Sequence, residues 1–361
     1  MRLITHPGDG IKPLIQAIDG AKHSVDIAIF RFDRAELEKA LLRAAQRGVA
    51  VHALIAYTNR GGEKNLRQLE TRLLGHGVTV SRTADDLIRY HGKYMIVDRR
   101  ELYVLAFNFT YIDMEHSRSF GVVTRHRAAV LEAIKLFEAD CKRQPYTAGW
   151  QRLVVSPSNA RKELTAFIKG AKKQLLIYDP KIGDPDILRL LEERAKKGVE
   201  VRVIGKVAGR PAFAAHGLAQ MRLHTRSIIR DRDHVFIGSQ SLRVAELEVR
   251  REVGLIFRDP KIAADMIKVF EADWKLAESG KGAEQQASEP AVKAARKVAK
   301  AVAKSMPAVG PVIEEVVKQM ASDKLEVELD TEELEKTIMS AVRDAVEESV
   351  RDAVQDAEVE V

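Results

Sequence analysis

Short apolar runs alternate along the chain with longer segments in which apolar residues recur every three to four positions. In residues 17–30, AIDGAKHSVDIAIF, the helical spacing gives way to a Val/Ile-rich run. Residues 41–55, LLRAAQRGVAVHALI, repeat this order, with Gly48 where the helix is expected to end. Short Val/Ile-rich runs are typical of strands buried in a sheet. Strands that alternate with helices predict the α/β fold class.

A second copy of this pattern follows in the same chain. Residues 167–180 resemble residues 17–30, and residues 190–204 resemble residues 41–55; Gly170 and Gly198 lie 150 positions after their equivalents Gly20 and Gly48. A repeat of this length indicates a duplicated domain and not a solenoid unit. The repeat predicts two domains and a tail, with the bounds 1–148, 149–278 and 279–361.

A polar motif also occurs twice, once in each predicted domain. The sequence HGKYMIVD begins at His91, and HTRSIIRD begins at His224, an offset of 133. The equivalent pairs at this offset are His91 and His224, Lys93 and Arg226, Asp98 and Asp231, and, further along each copy, Asn108 and Ser241. Because the offset falls from 150 to 133, the first copy must hold an extra segment before His91, where the pattern predicts a loop, a helix and a strand.

The residue types of this motif favour chemistry on a phosphate. Residues two apart in a strand face the same side, so that His91 and Lys93 are expected to project together, as are His224 and Arg226. A fixed cation binds the non-bridging oxygens of a phosphate and stabilises the charge of the transition state. One neutral imidazole can attack phosphorus, and a second, protonated one can give a proton to the leaving oxygen. This chemistry needs no metal and no cofactor, and we predict neither.

The charge is unevenly distributed along the chain. The net charge is +7, but residues from 285 onward hold 10 Lys and Arg against 17 Asp and Glu, which leaves +14 for residues 1–284. A basic body favours an anionic partner such as phosphate, nucleic acid or an anionic lipid surface. A single cysteine, no signal-peptide pattern and no long apolar run together predict a cytoplasmic location, with peripheral membrane association as an option.

The predicted tail has helical patterns of its own. Four lysines between Lys293 and Lys304 share one face of a helix whose opposite face is Ala and Val. Because Ala buries little area, a solvated helix is favoured over a membrane-surface helix. An acidic segment carries an apolar stripe from Leu334 to Val346, which suits self-association or packing on the body. We assign the tail no further function.

The two motifs resemble those of the phospholipase D superfamily, which are H-x-K-x4-D followed by G-S-x-N. The first copy has the first motif in full but LAFN in place of G-S-x-N, and the second has Arg226 for Lys and GSQS with Ser241 for Asn. The resemblance covers residues 1–278. It implies two tandem α/β/α domains with pseudo-twofold symmetry and an active site at their interface. It also implies a covalent phosphohistidine intermediate that is released to water or an alcohol.

Carried onto this chain, the resemblance implies a role for each motif residue. His91 is the expected nucleophile and His224 the expected general acid, although the two roles can be exchanged. Glu252 is expected to orient His224, and Ser119, its equivalent in the first copy, to orient His91 more weakly. The expected phosphate-binding residues are Lys93, Asn108, Arg226 and Ser241. The residues expected to support the fold are Asp98 and Asp231.

Three functions remain open. The first is a metal-independent phosphodiesterase or phosphatidyltransferase that acts on phospholipids, of the phospholipase D or cardiolipin synthase kind, for which the basic body suits an anionic membrane surface. The second is a nuclease of the same superfamily, although aromatic residues near the motifs are few and two motifs in one chain favour a lipid. The third is a catalytically degenerate phosphate-binding protein, because Arg226 and Ser241 depart from the family pattern.

Overall fold

The computed structural model describes residues 1–57, 63–218 and 221–278. The predicted tail lies outside these residues, and so do its expected helices and its expected role in self-association. The fold is therefore that of the part of the chain that holds both motifs.

Both halves of this part contain helices and strands. The helices are α1 Lys12–Gly20, α2 Ala35–Gln46, α3 Glu63–Gly75, α4 Tyr111–Glu115, α5 Arg127–Cys141, α6 Ala160–Lys169, α7 Pro185–Lys196, α8 Val244–Glu248 and α9 Pro260–Glu278. The strands are β1 Arg2–His6, β2 Ser24–Ile29, β3 Ala50–Ile55, β4 Thr79–Arg82, β5 Arg89–Tyr90, β6 Tyr94–Val97, β7 Glu101–Leu105, β8 Ser117–Thr124, β9 Leu153–Val155, β10 Gln174–Ile182, β11 Glu200–Val207, β12 Ala214–His216, β13 Arg222–Leu223, β14 Arg226–Arg230, β15 His234–Gly238, β16 Arg250–Arg251 and β17 Val253–Arg258.

Each half forms one mixed sheet. The first has the order β1-β8-β7-β6-β2-β3-β4, in which β2, β3 and β4 run parallel and the other neighbours are antiparallel. The second has the order β12-β11-β10-β14-β15-β17-β9, with β10, β11 and β12 parallel. The same order of strand directions in both sheets confirms the predicted duplication and the α/β class.

The offsets read from the sequence hold for individual elements. Helices α2 and α7 keep the offset of 150 at both of their ends, and strands β7 and β15 keep the offset of 133 at both of theirs. The extra segment of the first copy falls where α3 and β4 lie, whereas the second copy has the short β12 at the matching sheet edge.

Apolar side chains form three layers of core. One core lies between the two sheets and includes α5 and α9, with the rings of Phe120 and Tyr178 5.7 Å apart and those of Tyr178 and Phe270 5.0 Å apart. The other two cores pack α1, α2 and α3 on the outer face of the first sheet, and α6 and α7 on that of the second. Both copies thus share a central core that holds them face to face.

Asp98 and Asp231 make the same backbone contacts in their two copies. The Asp98 carboxylate accepts hydrogen bonds from the backbone N–H groups of His23 (2.6 Å) and Ser24 (3.0 Å). The Asp231 carboxylate accepts them from Lys173 (2.7 Å) and Gln174 (3.0 Å). Each aspartate thereby ties the turn after one strand to the start of the neighbouring strand.

Candidate active site

The two motif histidines are bound through their backbones to the opposite copy. The His91 N–H donates to the Arg251 carbonyl oxygen at 2.7 Å, and the His224 N–H donates to the Arg118 carbonyl oxygen at 3.1 Å. His91 and Lys93 consequently lie between β5 and β6 and not inside a strand, so that the strand prediction is wrong for this short segment. Their side chains still project together, because the chain remains extended: Lys93 Nζ lies 2.7 Å from His91 Nε2.

The His91 ring is held by a carboxylate from the second copy. Its Nδ1 lies 2.9 Å from Glu252 Oε2 and 3.0 Å from Oε1, and its ring meets Phe30 edge-on with centroids 4.5 Å apart. The expectation that Glu252 orients His224 is therefore wrong, because β16, just before Glu252, pairs with β5 of the first copy and carries the carboxylate across. An imidazole that donates its Nδ1 proton to Glu252 keeps a lone pair on Nε2.

Burial determines the protonation of this group of side chains. Burial, and after it the charges of Lys93 and Arg226, hold the pKa of His91 well below its usual range, so that the ring is neutral at pH 7. Burial also lowers the pKa of Lys93 well below its usual range, and an anionic phosphate beside the amine would favour its charged form. Burial raises the pKa of Glu252 to about 7, although Lys93 opposes this rise.

His224 is paired with a carboxylate that the motif pattern did not indicate. Asp113, in α4, is 1% exposed, and its Oδ2 lies 3.3 Å from His224 Nδ1. Burial alone would raise the pKa of Asp113, but His224, Arg222 and the Asn108 N–H together hold it well below its usual range. The sequence does carry a signal for Asp113, because acidic residues occupy equivalent positions in the two copies. Asp113 follows Asn108 by five residues, and Glu246 follows Ser241 by five.

Ser119 has no hydrogen bond to either histidine. It is fully buried, and among the described residues its hydroxyl has no hydrogen-bond partner. The expectation that Ser119 orients His91 is therefore wrong. Ser119 lies beside the histidine of the opposite copy, because Arg118, the residue before it, accepts a hydrogen bond from the backbone N–H of His224 and not from that of His91.

The remaining residues that the sequence predicts to bind phosphate are held by hydrogen bonds in both copies. In the second copy, Arg226 Nε donates to Ser241 Oγ at 3.1 Å and Arg226 Nη1 donates to the His224 carbonyl at 2.8 Å, which fixes the guanidinium. In the first copy, Asn108 Nδ2 donates to Asp113 Oδ2 at 2.8 Å, which leaves the second amide hydrogen for another acceptor. Burial is the main cause of the lowered pKa of both histidines; Arg226 adds to the effect on His91 and Lys93 adds to that on His224, so the two motifs act on each other within one site.

Besides Asp113, a second carboxylate in this region is not singled out by the sequence. Asp179, within β10, is 1% exposed and accepts the Leu242 N–H at 2.7 Å beside Ser241. Burial raises the pKa of Asp179 to about 6, and Arg226 opposes the rise. Its only signal in the sequence is an acid inside an apolar run, and this alone does not identify a site.

The described residues contain neither a metal-binding cluster nor a helix that could span a membrane. Within residues 1–57, 63–218 and 221–278, no three His, Cys, Asp or Glu side chains are grouped so as to hold a metal ion. In the same ranges, no helix combines the length and the apolar character that crossing a bilayer requires.

The family of this chain follows from its match to a family model. The model described as "Cardiolipin synthase, PLD-like domain" matches residues 14–141 and 164–274, one segment in each copy. The chain belongs to the phospholipase D superfamily. The resemblance stated from the two motifs is thereby confirmed, and the chain falls in a superfamily of phosphoryl-transfer enzymes.

Curated relatives match only parts of the chain. Polyphosphate kinase 1 of Chlorobaculum tepidum is 25% identical over 223 residues, which are 56% of this chain and 32% of the relative. The human 5'-3' exonuclease PLD3 is 31% identical over 113 residues, which are 26% of this chain and 23% of the relative. The chain thus spans less than a third of the length of either protein.

Solved structures of the superfamily share the fold. A polyphosphate kinase from Porphyromonas gingivalis superposes with a TM-score of 0.64 at 20% identity, over 76% of this chain and 50% of its own. Phosphatidylserine synthase from Haemophilus influenzae superposes with a TM-score of 0.55 at 12% identity, over 81% of this chain and 91% of its own. At these identities the likeness extends to the fold alone.

Proposed function

We propose that this chain is a phosphodiesterase or phosphatidyltransferase that acts on phospholipids through a phosphohistidine on His91. The observation that carries the proposal is the setting of His91, whose Nδ1 contacts Glu252 while its Nε2 lies 2.7 Å from Lys93 Nζ. This arrangement leaves Nε2 unprotonated beside an amine whose charged form an anionic phosphate favours, as a nucleophile that attacks such a phosphate requires.

In the first step, His91 Nε2 attacks phosphorus and the bond to the leaving alcohol breaks. The electron pair of that bond goes to the leaving oxygen, which takes a proton from His224 Nε2. Burial lowers the pKa of His224, whereas Asp113 and the bound phosphate oppose this effect and favour the protonated ring that the step needs. Lys93 and Arg226 bind the non-bridging oxygens, and Asn108 and Ser241 add neutral donors.

In the second step, water or an alcohol attacks the phosphohistidine. His224, now neutral, takes a proton from the attacking oxygen, and the bond between phosphorus and His91 Nε2 breaks. The imidazole of His91 leaves with the electron pair of that bond, and both histidines return to their first protonation states. Water gives hydrolysis, and an alcohol gives transfer.

Apolar and cationic side chains close to the motif residues in space or in sequence support a phospholipid as the substrate. Arg89 lies over the Phe30 ring at 5.4 Å, and Phe30 contacts His91. Ile88, three residues before His91, is 62% exposed, and Tyr111, three residues after Asn108, is 48% exposed. Cations beside exposed apolar groups suit a lipid that presents a phosphate head and an acyl chain.

A nuclease is the second candidate. It is supported by the similarity to the protein named as a 5'-3' exonuclease. The same arginine and tyrosine side chains suit a phosphate backbone and a stacked base.

The proposal is tested by offering several phosphodiesters to one preparation without added metal. The purified chain is incubated separately with phosphatidylglycerol vesicles, single-stranded DNA, double-stranded DNA and polyphosphate, and products are followed by mass spectrometry. We expect phosphatidic acid or cardiolipin from the wild type. We expect a covalent phosphatidyl group on the His91 peptide when the His224→Ala variant is given phosphatidyl-p-nitrophenol, because that leaving group needs no proton and the variant lacks the base for the second step.

Matched variants make the result decisive. His91→Ala is expected to lose turnover and labelling, whereas His76→Ala, which removes an exposed histidine outside both motifs, should retain both. DNA cleavage without lipid turnover would favour the nuclease. Full activity in His91→Ala would refute the phosphohistidine mechanism.

A further inference from the structure

The acids that contact the two histidines come from different positions of the repeat. Glu252 contacts His91, and its equivalent at the offset of 133 is Ser119, which has no carboxylate. The residue before each of them accepts the backbone N–H of one histidine: Arg251 that of His91, and Arg118 that of His224. Ser119 therefore occupies the place from which an acid would serve His224.

Asp113 supplies a carboxylate to the same histidine from another element. Its Oδ2 lies 3.3 Å from His224 Nδ1, an ion-pair distance at which Nδ1 makes no hydrogen bond within the described residues, and catalytic contacts of this kind often tighten when substrate binds. Asn108 holds this oxygen with its backbone N–H at 2.7 Å and its amide at 2.8 Å. Arg222 binds the other oxygen, so that the carboxylate is held from both sides.

The equivalent acid in the second copy does not contact a histidine. Glu246 is the equivalent of Asp113 at the offset of 133, and it is just as buried. Its carboxylate binds Arg243 and, at 2.9 Å, Arg250. Each histidine thus contacts one acidic residue of the opposite copy. The acid beside His91 is Glu252, and the acid beside His224 is Asp113, which is not at the equivalent position.

We propose that Asp113 is the positioning residue for His224 and that it replaces the acid missing at Ser119. Asp113 accepts the Nδ1 proton of His224, which aims Nε2 at the leaving group, and its charge stabilises the ring once both nitrogens are protonated. The charged groups that act on His224 are Asp113, Arg222, Arg226 and Lys93. Asn108 acquires a second role, since it holds Asp113 as well as facing the phosphate.

The inference rests on the proposed function in that His224 is the general acid, and a pair of substrates isolates this step. Phosphatidyl-p-nitrophenol has a leaving group that needs no proton, whereas phosphatidylglycerol releases an alcohol that does. In Asp113→Asn we expect kcat/KM for phosphatidylglycerol to fall by about 100-fold, within the range for a lost general acid, and that for phosphatidyl-p-nitrophenol by less than about 5-fold. Ser119→Glu added to Asp113→Asn should restore part of the loss.

A measurement without substrate separates failure of the inference from failure of the proposed function. Ring ¹⁵N NMR of the wild type should show His224 protonated on Nδ1, a state that Asp113→Asn shifts and Ser119→Glu restores. If lipid turnover is absent but this pattern is found, the proposed function fails and the inference stands. Equal losses on both substrates, or an unchanged His224 tautomer in Asp113→Asn, would overturn the inference, and thermal unfolding of each variant confirms that it is folded.

Discussion

Glu252→Gln tests the contact between the two copies on which the reactivity of His91 depends. Glutamine keeps the shape of the side chain but removes the charge that faces His91 Nδ1 at 2.9 Å. A hydrogen bond to a charged group contributes roughly 1.5–3 kcal/mol, and the positive charge that forms on His91 during attack needs this acceptor. Every 1.4 kcal/mol is about tenfold in rate, so kcat/KM should fall by on the order of 10- to 100-fold.

The pKa of Glu252 adds a test in stability. Its value of about 7 in the folded chain lies above the ordinary value of 4.5, so that ionising the carboxyl costs folding free energy. The contribution is complete below pH 4.5 and is lost as the pH rises through about 7. The difference between these two pKa values corresponds to a free energy on the order of 3 kcal/mol. Glu252→Gln should therefore reduce the change of the unfolding free energy with pH by up to this amount.

Two assays and one control make this prediction refutable. Kinetics with phosphatidyl-p-nitrophenol from about pH 5 to 9 should show a wild-type kcat/KM that falls below about pH 7 and a variant without this limb. Urea unfolding at several pH values gives the stability term. The control is Glu132→Gln, since buried Glu132 binds Tyr146 and Gly149 and contacts neither motif histidine. Unchanged kcat/KM and an unchanged pH profile in Glu252→Gln would refute the reasoning.

Two further predictions concern packing and the departures from the family pattern. Gly254→Ala places a Cβ 2.5 Å from the Phe236 ring, and urea unfolding should show a loss of about 1–3 kcal/mol, whereas Gly20→Ala, with nothing within 4 Å, should lose almost none; equal losses would contradict this. Arg226→Lys cannot keep both bonds of the guanidinium, to Ser241 and to the His224 carbonyl, and should lower kcat/KM. Adding Ser241→Asn should recover part of this loss with a coupling of about 0.5–3 kcal/mol, and strictly additive effects would count against the contact.

The duplication and the motif pairs were predictable from the sequence because they are relations of spacing. Offsets of 150 and 133 are visible in the residues themselves and reappear in the bounds of α2 and α7 and of β7 and β15. Helical and strand periodicity then gave the order of elements, including the helix and strand before His91.

The pairing of acids with histidines was not predictable, because it depends on how the copies dock. Glu252 and His91 are 161 residues apart in the chain, and spacing within one copy carries no information about that contact. The extended segment at His91 was assigned to a strand because alternation does not reveal which partner accepts its backbone hydrogen bond. Asp113 was missed because its contact with His224 requires α4 of one copy to meet β13 and β14 of the other.

Each histidine is contacted by the backbone and by an acidic side chain of the opposite copy, and this has a consequence for how the sequence of such a chain can evolve. In a dimer of identical subunits, every substitution occurs in both subunits and changes the surroundings of both histidines. A substitution that makes the nucleophile more reactive therefore also affects the proton donor. A fused chain encodes each half separately. The equivalent positions already differ, with Ser119 in the first copy and Glu252 in the second. Under the proposed roles of the two histidines, a single substitution would therefore alter one proton transfer without altering the other.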